Sequence, residues 1–401
     1  GPLDNGSAVG VLWYNGAKAE DVNGAGYFSS HGFACMPRVA PVEYHGGASN
    51  VVWAAVHNQF FALALMPPSA AQALDIRSIE LPPPTGEEAR LVSNKKGPPH
   101  GFQASLIYPA FTVTTNQPFE KTVFIYAGPK EYQTVARIGE TFNNNLDQVM
   151  QFGGWYGAVT KALLLAMNWL HDTLRISYGW AIVAITFIIK LIFWPVTAKN
   201  ARSSKKMQTL QPQIAAIKEK YKDDALKTHQ KTMELYKKHN VSPMGSCLPM
   251  VIQIPVFFGF LAMLRSAIEL RGAHWLWAGD LTKPDTLFII PGLGSIPFIG
   301  IPGVGMPFNL LPIIMGATML WQARVTPPAP GMDPSQQAIM KYLPLIFLVG
   351  LYNFSAGLTL YWTVNNLLTV IQTKMTRGKP DPAAPIPVKA TVLTPPQKKK
   401  K

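Results

Sequence analysis

Lys190 lies in a run of 23 residues, Ile176 to Ala198, that holds no other charge, and Thr186 stands one helical turn before it on the same face. A lysine at that depth costs about 2.5 to 3.5 kcal/mol to insert into a bilayer, so it either faces a polar cavity or stretches toward the headgroups. The cavity is the expectation, because other apolar runs offer matching polar groups: Gln253 in one, and Tyr361, Asn365 and Asn366 in another. One cation among neutral hydrogen-bonding groups, with no intramembrane acid to pair it, attracts a negatively charged guest.

No enzymatic chemistry has a comparable starting point. Cys35 and Cys247 form no CxxC, and the eight histidines include no i, i+4 pair and no HExxH. GxxxxGK[ST], GxGxxG and a strand-to-helix GxSxG are absent from the sequence. A non-enzyme is expected, with no catalytic residue, metal or cofactor.

The elements that would position Lys190 are membrane helices. Only 14% of the 401 residues are charged and mean hydropathy is +0.11, with the apolar excess almost wholly after residue 150. Five spans are predicted, at about 176–198, 244–266, 308–325, 337–354 and 356–376. The uncharged stretch Tyr342 to Thr373 is divided in two because Asn353-Phe-Ser-Ala-Gly357 interrupts it. Pro291 to Pro307 reads as an apolar loop in or on the outer interface.

The net charge of +14 sits in two places: residues 199–240 hold 11 basic and 4 acidic side chains, and residues 374–401 hold 8 and 1. Both clusters flank long uncharged runs, which marks a cytoplasmic face rather than a nucleic-acid site, and no DNA partner is expected. The N-terminal domain is then exported, and the simplest compartment is a Gram-negative inner membrane with a periplasmic domain and a cytoplasmic C-terminus.

Residues 1–128 alternate short β-branched and aromatic runs with Gly, Pro and Asn: Val9 to Tyr14, Val51 to Ala55, Phe60 to Leu65, Phe102 to Tyr108 and Lys121 to Tyr126. An antiparallel β-sandwich is expected, with Trp13, Trp53, Phe60 and Phe61 packed in it rather than lining a ligand groove. Pro82 to Pro84 and Lys95 to Pro99 read as loops. Residues 129–175 form a connector and an amphipathic interfacial helix whose stripe is Trp155, Val159, Leu163, Met167 and Leu170. A spanning helix there is disfavoured, since no residues are left over for a turn before the next run.

Residues 199–240 read as a helical hairpin. Met207, Leu210, Ile214, Ile217 and Tyr221 form one stripe, and Asp223 and Asp224 cap a second helix carrying Leu226, Met233 and Tyr236. Its basic face meets lipid headgroups, ribosomal RNA or water alone. Residues 377–401 are a basic tail. The opening Gly1-Pro-Leu-Asp4, with no methionine or signal peptide, is expected to be that of a fragment.

Ile185-Thr-Phe-Ile-Ile-Lys190 through Pro195, Leu210-Gln-Pro-Gln-Ile214 and Cys247-Leu-Pro-Met-Val-Ile-Gln-Ile-Pro255 resemble the YidC/Oxa/Alb membrane protein insertases. So do Leu310 to Met319 and Ser355-Ala-Gly-Leu-Thr-Leu-Tyr361 through Gln372, and the likeness covers roughly residues 150–378. The β-rich part is similar to the C-terminal portion of the periplasmic domain of the bacterial members, which carry a further membrane helix before it. The resemblance implies a hydrophilic groove, open to cytoplasm and lipid, whose cation engages substrate segments. Lys190 stands where arginine is usual, keeping the charge without the guanidinium fork, so attraction rather than bidentate holding is expected.

By the same resemblance Thr186, Gln253 and Tyr361 match groove or span-packing positions, and Trp362 and Asn365 stand where polar or aromatic residues are common. Implied partners are nascent membrane proteins, the Sec translocon, membrane lipids, and the ribosome through the hairpin and tail. The implied function is insertion and folding of inner-membrane proteins, alone or with that translocon. The alternatives are a small-anion transporter with a periplasmic β-domain, which lacks the paired repeats such proteins show, and a structural scaffold indifferent to Lys190.

Overall fold

The computed structural model describes residues 10–16, 22–26, 43–46, 50–80, 82, 100–115, 118–152, 155–221, 224–239, 248–301, 304–325 and 334–377. The sequence expectations for Cys35, Cys247, Asp223, the loop from Lys95 to Pro99, the start of the second span and the basic tail lie outside them. Two compact units are formed: Gly1–Ala181 with Pro255–Asp285 and Phe354–Leu358, and Ile182–Ile254 with Thr286–Asn353 and Thr359–Lys401.

In the first unit the strands are β1 (Gly10–Tyr14), β2 (Val22–Gly26), β3 (Glu43–Gly46), β4 (Trp53–His57), β5 (Phe61–Met66), β6 (Ala73–Glu80), β7 (His100–Ile107) and β8 (Phe124–Pro129). They make a five-stranded sheet ordered β2-β1-β4-β5-β8 and a three-stranded sheet ordered β3-β6-β7, with every pair antiparallel. Strict alternation in Phe61-Ala-Leu-Ala-Leu-Met66 buries Ala62, Ala64 and Met66 and turns Phe61 and Leu63 outward. Val11, Trp13 and Ala54 from one sheet pack with Leu74 and Ile76 from the other, and Phe102, Ala104 and Leu106 close the core. This is a two-layer β-sandwich.

Trp53 and His57 point to the opposite side of β4 and are buried as well, because the chain after β8 lies against them. Helix α1 (Tyr132–Thr141) and a 3-10 turn (Leu146–Met150) bury Val135, Leu146, Val149 and Met150, and Trp53 Nε1 donates to Asn144 O at 2.9 Å. Trp13, Trp53 and Phe60 are thus core residues. Phe61 is not: it is 42% exposed, and the Arg271 guanidinium lies 5.4 Å from its ring and 5.3 Å from that of Phe60.

Helix α2 (Gly157–Leu174) buries Leu163, Met167 and Leu170, as its stripe predicts, but leaves Trp155, just before it, exposed. The stripe is a protein-packing face: a Cβ on Gly259 would meet Val159 Cγ1 at 2.9 Å and Leu163 Cδ1 at 3.2 Å. Outward instead are Leu165 and Trp169. The turn for which the sequence leaves no spare residues takes only Arg175 to Ser177, because Arg175 adopts a left-handed conformation (φ 52°) and His171 Nδ1 lies 2.7 Å from Ile176 O.

Helix α3 (Tyr178–Thr209) runs on beyond the predicted span end at 198 and through Pro195. Its Tyr178–Lys199 portion, 22 residues, is the one stretch among the described residues long and apolar enough to cross a membrane. Helices α4 (Gln211–Lys220) and α5 (Ala225–Lys238) form the hairpin, with Met207, Leu210, Ile214 and Tyr236 in one cluster and Asp224 accepting from Lys227 N at 3.0 Å as the cap. Leu226, carried by the second helix, is 70% exposed: it lies in the first turn of α5, ahead of Tyr236, which joins the cluster.

Helix α6 (Leu248–Ser266) precedes a 3-10 turn (Ile268–Leu270). The predicted apolar loop is partly a hairpin of β9 (Thr286–Ile290) and β10 (Met306–Asn309), paired Met306 to Ile290 and Phe308 to Phe288. Because the strand takes Phe308 and Asn309, helix α7 (Leu310–Val325) starts later than the third span was placed. Helices α8 (Pro334–Gly350) and α9 (Ala356–Arg377) follow. Val251–Ser266 and Leu310–Val325 are shorter apolar helices.

Asn309, fully buried, ties these pieces together. Its Nδ2 donates to Tyr352 O at 2.9 Å and Asn353 Oδ1 at 3.2 Å, and its Oδ1 accepts from Thr286 Oγ1 at 2.7 Å. Tyr352 Oη donates to Pro307 O at 2.9 Å. The first turn of α9 is capped by backbone, with Ala356 N–H on Lys283 O at 2.7 Å and Gly357 N–H on Leu281 O at 2.9 Å.

Candidate functional site

Tyr361, Asn365, Thr369 and Gln372 follow one another along α9 at intervals of four, four and three, which places them on one face. That face meets polar groups from two other helices. Lys190 Nζ donates to Thr369 Oγ1 at 2.9 Å, and the same hydroxyl donates to Asn365 O at 2.7 Å. Gln253 Nε2 of α6 donates to Tyr361 Oη, and Gln372 Nε2 donates to Thr197 Oγ1 of α3. Both contacts between α3 and α9 advance in the same direction along the two chains, so these helices run parallel there.

Of the residues predicted from sequence, Gln253 and Tyr361 are brought into direct contact. Lys190 is half-buried, and its oxygen partner is Thr369, which sequence reading missed. Thr186 is buried and spends its hydroxyl on Ile182 O, 2.7 Å away in its own helix. Asn365 supplies a carbonyl to the seam. Trp362 turns to another side of α9, its ring 5.1 Å from that of Phe347 on α8. Asn366, on a neighbouring face, donates to Thr318 Oγ1 of α7 at 3.2 Å.

The chemistry of the seam follows from its composition. Helices α3, α6, α7, α8 and α9 carry no Asp or Glu, so the ammonium has no acidic partner among them. The bond to Thr369 uses one of its three protons. Neutral hydroxyls and amides solvate the cation without cancelling its charge, and hydrogen bonds of this kind in a membrane are worth about 0.6 to 2 kcal/mol each. The arrangement can attract and release an acidic or strongly polar group; it offers no nucleophile paired with a base. Among the described residues no three His, Cys, Asp or Glu side chains are grouped to hold a metal.

Residues 169–382 match the family described as 60Kd inner membrane protein, and residues 25–166 match the YidC periplasmic domain. A protein of Citrifermentans bemidjiense named membrane protein insertase YidC is 36% identical over 333 residues, 83% of this chain and 53% of that protein. Proteins of the same name from Pelobacter propionicus and Geobacter sp. are 37% and 40% identical over 80% and 66% of this chain, and 53% and 44% of their own lengths. The chain therefore spans about half the length of the curated relatives it matches. A solved structure described as active YidC insertase overlays with a TM-score of 0.40 at 18% identity, covering 93% of this chain and 76% of that one, and nothing rests on that overlay. The helical match takes in more than half of the chain and every residue of the polar seam that α3, α6 and α9 build, and it is preceded by the periplasmic-domain match; the chain belongs to the YidC family.

Proposed function

We propose that this chain inserts membrane proteins into an inner membrane, and that the polar seam on α9 is where the entering segment is received. The observation that carries the proposal is the bond from Lys190 to Thr369: a cation within an apolar helix, held by a neutral hydroxyl rather than an acid. A charge kept uncancelled at that depth attracts the acidic or polar end of an entering segment and lowers the barrier to moving it. The guest helix then leaves sideways, driven by burial of its apolar surface in lipid.

In this reading five spans correspond to the apolar parts of α3, α6, α7, α8 and α9. The hairpin, the basic tail and the C-terminus are cytoplasmic and the β-sandwich is periplasmic, so both basic clusters obey the positive-inside rule. The domain limits at about 128, 175 and 376 belong to the same proposal. Lys190, Thr186, Gln253, Tyr361, Trp362 and Asn365 are the proposed groove residues, joined by Thr369 and Gln372. Nascent membrane proteins are the clients, with the Sec translocon, the ribosome and membrane lipids as partners. Chemistry on a bound substrate plays no part.

Replacement of Lys190 in a strain depleted of its own insertase tests this. Lys190→Arg is expected to support growth, Lys190→Ala to support it poorly, and Lys190→Glu to fail because the charge is reversed. Full growth with Lys190→Glu would overturn the electrostatic role.

A further inference from the structure

Asn168 of α2 and Glu269 of the 3-10 turn after α6 meet through one hydrogen bond, Asn168 Nδ2 to Glu269 Oε1 at 3.2 Å. Each group keeps one buried oxygen with no donor, Asn168 Oδ1 and Glu269 Oε2. An ionised carboxylate with one oxygen buried and without a donor is costly. Amide and carboxyl are both planar two-pronged groups, here joined through one prong of each. One proton on Oε2 turns that acceptor into a donor and satisfies both orphans.

We propose that Glu269 is a proton-binding site: its Oε2–H donates to Asn168 Oδ1, closing a doubly bonded amide–acid pair that latches α2 to the segment following α6. The surroundings favour the neutral form. Burial pushes the Glu269 carboxyl above the ordinary carboxylate range, its own backbone N–H and the bond from Asn168 pull the other way, and Glu131, just before α1, adds to the rise. Tyr178, at the start of α3, lies in the fields of Glu269, Asp172 and Glu131, and His171 stacks on it at 4.0 Å. On the segment itself, Arg271 is engaged over the rings of Phe60 and Phe61, and the Arg265 side chain is exposed.

The latched segment is a strap. Beyond Glu269 it places Arg271 on the β5 end of the sandwich, then gives the carbonyls of Leu281 and Lys283 to the first turn of α9. An acid whose folded pKa is raised contributes stability that is present below the ordinary carboxyl range and lost as pH rises through the folded value. Rising pH therefore loosens the strap at Glu269, and a Gln at 269, whose amide donates to Asn168 Oδ1 without binding a proton, keeps it closed.

The test uses the full chain in lipid nanodiscs. Infrared spectra recorded upward from about pH 4 should contain the carbonyl stretch of a protonated carboxyl that Glu269→Gln removes and that rising pH bleaches only above the ordinary carboxyl range. Hydrogen exchange, corrected for intrinsic rate, should show residues 267–285 losing protection over the same pH range in the wild type and not in Glu269→Gln. Wild-type protein carrying carboxyl-labelled glutamate gives the same readout without a substitution: the band must shift with the label and fade together with the protection. A Glu269 band that fades within the ordinary carboxyl range, or strap protection that ignores its disappearance, would overturn the latch.

Discussion

Acid should loosen the β-sandwich through His57. This residue, at the end of β4, is 2% exposed, and Lys130, directly after β8, is 2% exposed beside it, with Nζ 3.4 Å from His57 Nδ1. The same Nδ1 lies 3.2 Å from Asn58 O and cannot serve both; accepting from the ammonium leaves the imidazole proton on Nε2. Burial first, and the Lys130 charge second, push the His57 pKa down from 6.5 to about 3. The unfolded chain therefore takes up the proton before the folded one does. His57 contributes stability that is present above about pH 6.5 and lost as pH falls toward about 3. The full loss is about 5 kcal/mol at ~1.4 kcal/mol per unit, and about 2 kcal/mol of it has gone by pH 5. Hydrogen exchange in β4 and β5 of the full chain, corrected for intrinsic rate, should show roughly thirtyfold less protection at pH 5 than at pH 7.5. His57→Gln should flatten that dependence, and Lys130→Met should shrink it by relieving the depression. An equal fall in wild type and His57→Gln would refute the reasoning.

Thr369→Val keeps the shape of the side chain but leaves the Lys190 ammonium without its oxygen partner; insertion should fall several-fold and Thr369→Ser should restore it, since a charge-assisted bond is worth about 1.5 to 3 kcal/mol. Asn309→Ala strands the buried Tyr352 carbonyl and takes the acceptor from the Thr286 hydroxyl, at a cost of about 1 to 3 kcal/mol, to be read as lost exchange protection across β9 and β10. Gly259→Leu forces a side chain into Val159 and Leu163, where a Cβ alone already reaches 2.9 Å, so α2 and α6 should separate and the thermal midpoint should drop, as for overpacking by about 1 to 3 kcal/mol. Unchanged midpoints in the last variant would show that this helix contact is looser than the geometry states.

Lys190 and its contacts were partly legible in the sequence because a charge inside an apolar run is rare and demands a partner. Gln253 and Tyr361 stood out for the same reason. Thr369 did not: a membrane-helix threonine ordinarily bonds its own backbone, as Thr186 and Thr373 do here. Its role needs the three-dimensional meeting of α3 and α9. The β9 and β10 hairpin was hidden because its strands are short, show no polar–apolar alternation and flank a run rich in Gly and Pro, which reads equally as a loop. The turn at Arg175 was missed because a non-glycine residue in the left-handed region leaves no compositional mark. The sandwich was readable from alternation in β5, whereas Asn168 and Glu269 carry no sequence signal of their meeting across 101 positions.

The central claim, that an entering segment passes the seam on α9, is tested most directly by photocrosslinking from residue 365, half-buried beside Thr369. Ribosome-bound nascent chains of a single-span protein with a short acidic end would be presented at a series of lengths. Adducts should form at intermediate lengths only and weaken in Lys190→Ala. A folded, inserted protein that yields no adduct at any length would contradict the account.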